Sequence, residues 1–354
     1  LTATALLAGC AVGPDYQRPS STLPEQYSQA EAQPAAPAEA PVNPEWWTLF
    51  GDASLNALVA QALDANQDLQ AAIARLEAAD AYAREINSAY YPTVNLEAAS
   101  SRLGTSGTTY NGQKMGGAVY NNRRAALSLS YEIDLWGRIR RMNEAAGADA
   151  LASRFASDSV RLSLIGQVAS EYLILRSHDA EVAVSQETVN SRQETLRIVK
   201  ARLDAGSASA LELAQAENSL AAAQSQLSQL KRLRGLSENQ IGLLTGQPGL
   251  QIPVNLTPLP LPPVPPPGLP SSLLEARPDV RQAEEKLIAA NARIGVAKAA
   301  YFPAISLTGN YGSESMALSS LFTARATIWT AAIGLSMPIF DAGRTGARVD
   351  QATA

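Results

Sequence analysis

Cysteine and histidine are almost absent from this 354-residue chain, which has one of each. A lone cysteine, Cys10, cannot close an internal disulfide, and a lone histidine cannot build the His/Cys clusters that hold zinc. His178 stands mid-helix in pattern beside Ser177 and Asp179. Adjacent residues do not share a helix face, so this is no catalytic triad. Charge is sparse too, 17% Asp, Glu, Lys and Arg against the usual ~25%. The formal net charge is −5, so nothing points to a nucleic-acid partner. No apolar run reaches the ~18 residues of a membrane-spanning helix. That leaves membrane β-strands open, because each needs only ~9–11 residues of alternating polarity.

The start of the chain is informative. Cys10 follows Leu7-Ala8-Gly9 at the end of a short apolar run that has no initiator Met. Residues 1–9 therefore read as part of a signal peptide. The spacing resembles a bacterial lipobox, which makes Cys10 the expected lipidated N-terminus. By the same resemblance, Ala11 rather than Asp after the cysteine favours the outer membrane. Acyl chains anchor at about 0.8 kcal/mol per buried CH₂. No cofactor is expected beyond this covalent lipid.

Residues 10–44 are rich in Pro, Ala and Ser and read as an extended tether. Residues 45–91 carry a helix from Asp52 to Ala89, with apolar residues near a 3.6 period (Leu55, Leu58, Val59, Ala62, Leu69, Ile73, Leu76). Pro92 ends it. In 92–136 the period becomes two. Val94, Leu96 and Ala98 alternate with Thr93, Asn95 and Glu97. After a polar loop from Gly104 to Asn122, Ala125, Leu127, Leu129, Tyr131 and Ile133 alternate with Ala126, Ser128, Ser130, Glu132 and Asp134. These are two strands, each with one apolar and one polar face.

Residues 137–245 predict a long helical hairpin. From Gly137 to Ala205 there is no Pro and only Gly147 and Gly166. That stretch makes a helix of roughly 100 Å at 1.5 Å per residue. Gly206 suits a left-handed C-terminal cap, and Ser209-Ala-Leu-Glu212 spells a capping box for a return helix to Leu244. A Pro-rich linker, 246–270, follows.

The first unit then recurs. Asp68, Leu76, Tyr90, Pro92 and Leu96 meet Asp279, Leu287, Tyr301, Pro303 and Leu307 without a gap, with about ten identities over residues 68–96. Ala125-Ala126-Leu127-Ser128-Leu129-Ser130 matches Ala331-Ala332-Ile333-Gly334-Leu335-Ser336, and Gly137-Arg138 matches Gly343-Arg344. A second leading helix over 271–302 and a second strand pair over 303–340 are expected. Ile305, Leu307, Gly309 and Tyr311 form one apolar face, opposite Ser306, Thr308 and Asn310. Trp329, Ala331, Ile333, Leu335 and Met337 form the other. Residues 341–354 read as the start of a second hairpin, and a further stretch of roughly a hundred residues is expected after it by analogy with the first hairpin. Four strands cannot close a membrane barrel, whose smallest forms have about eight, and lipid does not tolerate an open sheet edge. Several copies are therefore required. Closure alone allows two, three or four.

These residues resemble the outer membrane factor lipoproteins of resistance-nodulation-division efflux systems. The likeness rests on Cys10-Ala-Val-Gly-Pro-Asp-Tyr-Gln-Arg-Pro19, Trp46-Trp47-x-x-Phe50-x-Asp52, Arg202-Leu-Asp-Ala-Gly206-Ser-Ala-Ser209-Ala-Leu211, Ala276-Arg-Pro-Asp-Val-Arg281 and Ile294-Gly-Val-Ala-Lys298-Ala-Ala-Tyr-Phe-Pro303. It implies a mainly α fold with a four-strand β contribution. Helical hairpins form a periplasmic α-barrel, and trimerisation completes a twelve-stranded transmembrane β-barrel. It implies a non-enzymatic exit duct for small toxic compounds, partnered by a periplasmic adaptor and an inner-membrane pump. Arg202, Gly206, Ser209 and Leu211 would dock the adaptor. Ser128, Ser130, Glu132, Ser306 and Thr308 would line the pore, with Tyr131, Tyr311 and Trp329 at the membrane interface. A type I secretion duct shares the fold, and a periplasmic coiled-coil scaffold lipoprotein is the reading of another class. The scaffold reading leaves both amphipathic strand pairs without a purpose.

Overall fold

The computed structural model describes residues 11–19, 45–105, 119–258 and 276–354. Cys10 and most of the tether lie outside them. The described part is mainly helical with one four-stranded sheet: α1 (Ala53–Ala65), α2 (Gln67–Asn87), β1 (Thr93–Gly104), β2 (Val119–Ile133), α3 (Arg138–Asp204), α4 (Ala210–Leu244), α5 (Pro278–Ala299), β3 (Ala304–Ser315), β4 (Thr327–Ser336) and α6 (Arg344–Thr353). The chain divides into two compact units. One is built from described residues within Leu1–Ser21, Leu76–Ser153 and Gln282–Ala354, the other from those within Thr22–Arg75 and Arg154–Arg281.

The second unit holds the main hydrophobic core. Leu55, Val59 and Ala62 of α1 pack with Val168, Tyr172 and Leu175 of α3 and Ile241 of α4. The period near 3.6 in α1 is what brings its three residues to one face. Trp47, in a 3₁₀ turn over Trp46–Phe50, joins the same core. The last residue of that motif, Asp52, has two tasks. One carboxylate oxygen caps α1 by accepting from the amides of Ser54 (2.8 Å) and Leu55 (3.2 Å). The other accepts from the Tyr172 hydroxyl (2.8 Å) and the Arg176 guanidinium (2.7 Å).

Arg176 also donates to the carbonyls of Asn255 (2.9 Å) and Thr257. A second ionic group lies close by in the chain. Asp179, only 1% exposed, accepts from Arg234 (2.7 Å) and from the Asn255 amide (3.2 Å). Arg234 donates to the Ile252 carbonyl (2.6 Å), and Glu238 accepts from the Ile252 amide (2.6 Å). Residues 252–257 have no secondary structure of their own. The amides and carbonyls of Ile252 and Asn255 and the carbonyl of Thr257 are all held by charged side chains of α3 and α4.

Three elements differ from the sequence reading. The expected single helix from Asp52 to Ala89 is two helices, broken at Asn66. Its backbone is extended (φ −69°, ψ 125°). Its side chain accepts from the Leu69 amide (3.0 Å) and donates to the Leu244 carbonyl (2.9 Å). Asn66 thus caps α2 and ties the break to the end of α4. The apolar period runs straight across it, which is why periodicity hides it. Second, β2 begins at Val119, inside the expected loop, and Gly104 pairs with Val119. Residues 119–124 are polar on both faces except Val119 and Tyr120, so they carry no alternating signal. Third, β4 stops at Ser336 and leaves Met337 outside. Pro338 follows and has no amide to donate. Residues 271–275 of the expected second leading helix lie outside the described residues. α5 is described from Pro278, a residue suited to the first helical position.

In the first unit the N-terminal strap, residues 11–19, is bound along its length. Val12 donates to the Trp136 carbonyl (3.0 Å). Pro14 accepts from Asn291 (2.9 Å), Asp15 pairs with Arg141 (2.6 Å), and Glu284 holds both Tyr16 (3.2 Å) and Arg18 (2.5 and 2.7 Å). Gly13 crosses Gly295 backbone to backbone. A Cβ on Gly295 would sit 2.7 Å from the Val12 carbonyl oxygen and 2.9 Å from Arg141. Replacing Gly295 by Val should therefore expel the strap, at a cost of about 1–3 kcal/mol for overpacking. Chymotryptic cleavage after Tyr16 is expected to speed up roughly tenfold or more, since 1.4 kcal/mol is a factor of ten in the open population. Unchanged cleavage would show that the close crossing is not needed.

Candidate functional site

The sheet has strand order β1-β2-β3-β4, all antiparallel. Its register sorts every strand residue onto one of two faces. Leu96, Leu127, Tyr311 and Trp329 are successive partners across the four strands, and Val94, Leu129, Tyr131, Leu307, Ile333 and Leu335 lie on the same side. Among the described residues nothing covers the middle of this face. Leu96, Trp329 and Ile333 are each 74% exposed. So broad an apolar surface on a folded chain marks contact with lipid or protein. Tyr311 and Trp329 are directly paired on it, and Tyr131 pairs with Leu307.

The opposite face is polar. Ser130 pairs with Thr93 on one side and Thr308 on the other, Ser128 with Asn95 and Asn310, and Glu132 with Ser306. The register therefore brings Ser128, Ser130, Glu132, Ser306 and Thr308 onto one surface. Glu97 accepts from the Ser128 hydroxyl (3.0 Å). Farther along, Glu314 accepts from Asn122 (3.1 Å) and lies 3.6 Å from Arg124. The sequence reading missed Arg124 and Glu314. They stand where Asn122 and Ser315 blur the alternation, and only the pairing of β2 with β3 unites them. Glu132 has a further partner: Arg138, the first residue of α3, grips both its oxygens (2.7 and 2.6 Å).

Both strand-to-helix junctions use an aspartate. Asp134 accepts from the amides of Ile139 (3.1 Å) and Arg140 (3.0 Å) at the start of α3. Asp341 accepts from Gly343 (3.0 Å) and Thr345 (2.9 Å) at the start of α6. The Thr345 hydroxyl and amide hold the Asp341 carboxyl below its usual range. Such helix starts satisfy amides that have no partner within the helix.

At the far end of α3 the four tip residues divide. Gly206 takes φ +74°, a left-handed turn that favours glycine. Its amide donates to Leu203 (2.8 Å), and the Ser207 amide donates to the Arg202 carbonyl (2.8 Å). The Arg202 guanidinium donates to the Ser207 carbonyl (3.2 Å). Ser209 and Glu212 cap each other reciprocally, both at 3.2 Å. Arg202, Gly206 and Ser209 thus close the turn, while Leu211 is 67% exposed. His178 sits 3.2 Å from Glu181. Among the described residues no group of His, Cys, Asp or Glu could hold a metal ion, and no helix is long and apolar enough to cross a membrane.

An amphipathic sheet with no further strand at either edge among the described residues, joined to a helix of about 100 Å, fits a subunit of a membrane channel. The family comparison makes that specific. Residues 58–247 and 269–354 match the model of the outer membrane efflux protein family, and the chain belongs to that family. The cation efflux system protein CusC of Escherichia coli is 34% identical over 349 residues, covering 97% of this chain and 74% of CusC. The toluene efflux pump outer membrane protein TtgI of Pseudomonas putida is 34% identical over 361 residues, covering 98% of this chain and 74% of TtgI. Among solved structures, the outer-membrane channel OprN superposes with a TM-score of 0.86 at 30% identity, covering 97% of this chain and 77% of OprN. The chain is an outer-membrane efflux channel subunit that extends into the periplasm.

Proposed function

We propose that the chain is the passive exit duct of a tripartite pump. Three copies join their four-stranded sheets into a twelve-stranded barrel, with the apolar face on lipid and the polar face (Ser128, Ser130, Glu132, Ser306, Thr308) on the pore. Cys10 carries the lipid that anchors each copy. A periplasmic adaptor docks at the hairpin tip through Arg202, Gly206, Ser209 and Leu211, and an inner-membrane resistance-nodulation-division pump supplies the energy. No catalytic step or cofactor is involved. The observation that carries this reading is the sheet itself. From Thr93 to Ala98, from Ala125 to Ile133 and along their partners it puts apolar residues on one side and mostly polar ones on the other. Among the described residues β1 and β4 have no further strand beside them, as a segment of a barrel requires.

Substrate choice belongs to the partner pump. Two relatives at the same 34% identity are named for cation and for toluene efflux, so likeness at this level does not track the cargo.

A deletion strain is expected to become sensitive to small toxic compounds while still secreting its proteins. Loss of a secreted protein with unchanged sensitivity would favour a secretion duct instead. For the tip, Arg202→Glu should reduce adaptor crosslinking by roughly tenfold while barrel oligomers stay intact, as expected when a charge at an interface is reversed. Unchanged crosslinking and unchanged efflux would overturn the docking role.

A further inference from the structure

The two faces of the sheet differ in charge as well as in polarity. The polar face carries Glu97, Glu132 and Glu314 together with Arg124. On the apolar face no described strand residue is acidic, yet two are basic, Arg102 of β1 and Arg123 of β2. The period of two fixes their side. Arg102 continues the row Val94, Leu96, Ala98, Ser100, and Arg123 precedes Ala125, Leu127 and Leu129 in the same way.

Their depth follows from the same rows. On β2 the residues of this face are apolar or aromatic from Ala125 to Ile133. Those eight steps span roughly 27 Å along the strand, or about 20 Å across a membrane at a tilt near 40°. Barrels of this kind carry an apolar band of ~25 Å. Arg123 lies two residues beyond the band, and Arg102 pairs with Asn121, two residues farther still. Both are at the strand ends remote from α2, α3 and α5. Since the helices extend into the periplasm, those ends face the cell exterior.

The two arginines are diagonal neighbours, because Arg123 pairs with Ser100 and Arg102 with Asn121. Diagonal positions lie about 7–8 Å apart. Two cations so placed, with no carboxylate on their face, repel each other unless an anion lies between them. Arg102 is exposed and makes no hydrogen bond or ion pair to a described residue, while Arg123 donates to the Met316 carbonyl (2.5 Å). Ser100 and Ser315 flank Arg123 and add hydroxyl donors on the same side. A guanidinium fork matches the oxygens of a phosphate.

We propose that Arg102 and Arg123 form a phosphate-binding site on the outer rim of the lipid face, and that its ligand is a phosphorylated glycolipid of the outer leaflet. This rests on the reading that the apolar face meets lipid. The acyl chains of the same molecule would run down Leu96, Leu127, Tyr311 and Trp329, which form one row across the sheet. A free phosphate has no use for that row.

Lipid A is the probe. Full-length protein in a nonionic detergent is titrated with lipid A, with dephosphorylated lipid A and with inorganic phosphate, and bound molecules are counted by native mass spectrometry. One basic side chain near an anionic lipid surface is worth about fivefold in binding. Arg102→Gln and Arg123→Gln should each weaken lipid A binding by about that factor, and the double variant by roughly thirtyfold. Arg124→Gln removes the neighbouring charge from the opposite face and should leave lipid A binding unchanged. Dephosphorylated lipid A should bind the wild type as weakly as lipid A binds the double variant, and equimolar inorganic phosphate should not compete. Arg102→Gln breaks no bond to a described residue, so it tests the site even where Arg123→Gln fails to assemble. If the double variant forms oligomers and binds lipid A like the wild type, or if the two lipids bind alike, the site is overturned and the channel reading stands. Competition by equimolar phosphate would overturn the lipid as its ligand. If the unmodified protein forms no oligomers, the channel reading falls and the site with it.

Discussion

Replacing Ile333 by Arg is expected to abolish stable oligomers in the outer membrane. Ile333 sits in mid-β4 on the exposed apolar face, opposite Leu307. An arginine on the lipid side of a barrel costs about 2–4 kcal/mol near the bilayer midplane. Every copy bears that cost, so the proposed trimer loses roughly 6–12 kcal/mol, comparable with the whole stability of a domain. The adjacent residue provides the control. Ala332 pairs with Thr308 on the polar face, so Ala332→Arg should assemble normally. Heat-modifiable bands on gels of outer-membrane fractions read both variants. Equal assembly of the two would mean that the sheet does not present its apolar side to lipid.

Arg176→Ala should be the most damaging change in the second unit. Arg176 is buried and pairs at 2.7 Å with Asp52, whose side chain is only 9% exposed. Removing one partner of a buried ion pair typically costs about 3–5 kcal/mol, because the other charge is left unpaired. Here the loss spreads further. The carbonyls of Asn255 and Thr257 lose their donor, and Asp52 keeps only the Tyr172 hydroxyl beside its capping amides. Arg176→Lys should recover only part of the loss, because an ammonium cannot reach four acceptors (Asp52, the Tyr172 hydroxyl and the Asn255 and Thr257 carbonyls) with the spread of a guanidinium. Thermal unfolding of the solubilised protein is expected to fall by several degrees for Lys and by more for Ala. Equal melting of Ala and wild-type protein would show that residues 252–257 and α1 are held by packing alone.

These two positions also show what can be read from the chain and what cannot. Alternation alone assigns Ile333 to an apolar strand face, since a strand with one buried or lipid-facing side repeats every two residues. The hairpin tip is legible for a similar reason: Gly206 and the Ser209–Glu212 box are local signals, complete within a few residues. Arg176 carries no such signal. Apart from Tyr172, four residues upstream, its partners are 124 residues upstream and 79–81 residues downstream, and no local pattern links them. Asn66 is hidden by its own neighbourhood, because the apolar stripe continues past the break it makes. The strap behaves differently again. Gly13, Asp15 and Arg18 belong to a motif that resembles the family's, but their purpose emerges only from the Gly295 crossing and the Arg141 and Glu284 pairs.

The pore assignment is tested most directly by conductance through single channels that carry one cysteine on either face. Leu127 and Ser128 are neighbours on β2 and point to opposite sides of the sheet. In a planar bilayer the full-length protein should give discrete current steps. A charged, water-soluble thiol reagent should reduce those steps in Ser128→Cys and leave Leu127→Cys unchanged, because a lipid-facing thiol stays uncharged and unreactive. Modification of Leu127→Cys with a silent Ser128→Cys, or well-folded oligomers that pass no current, would contradict the account.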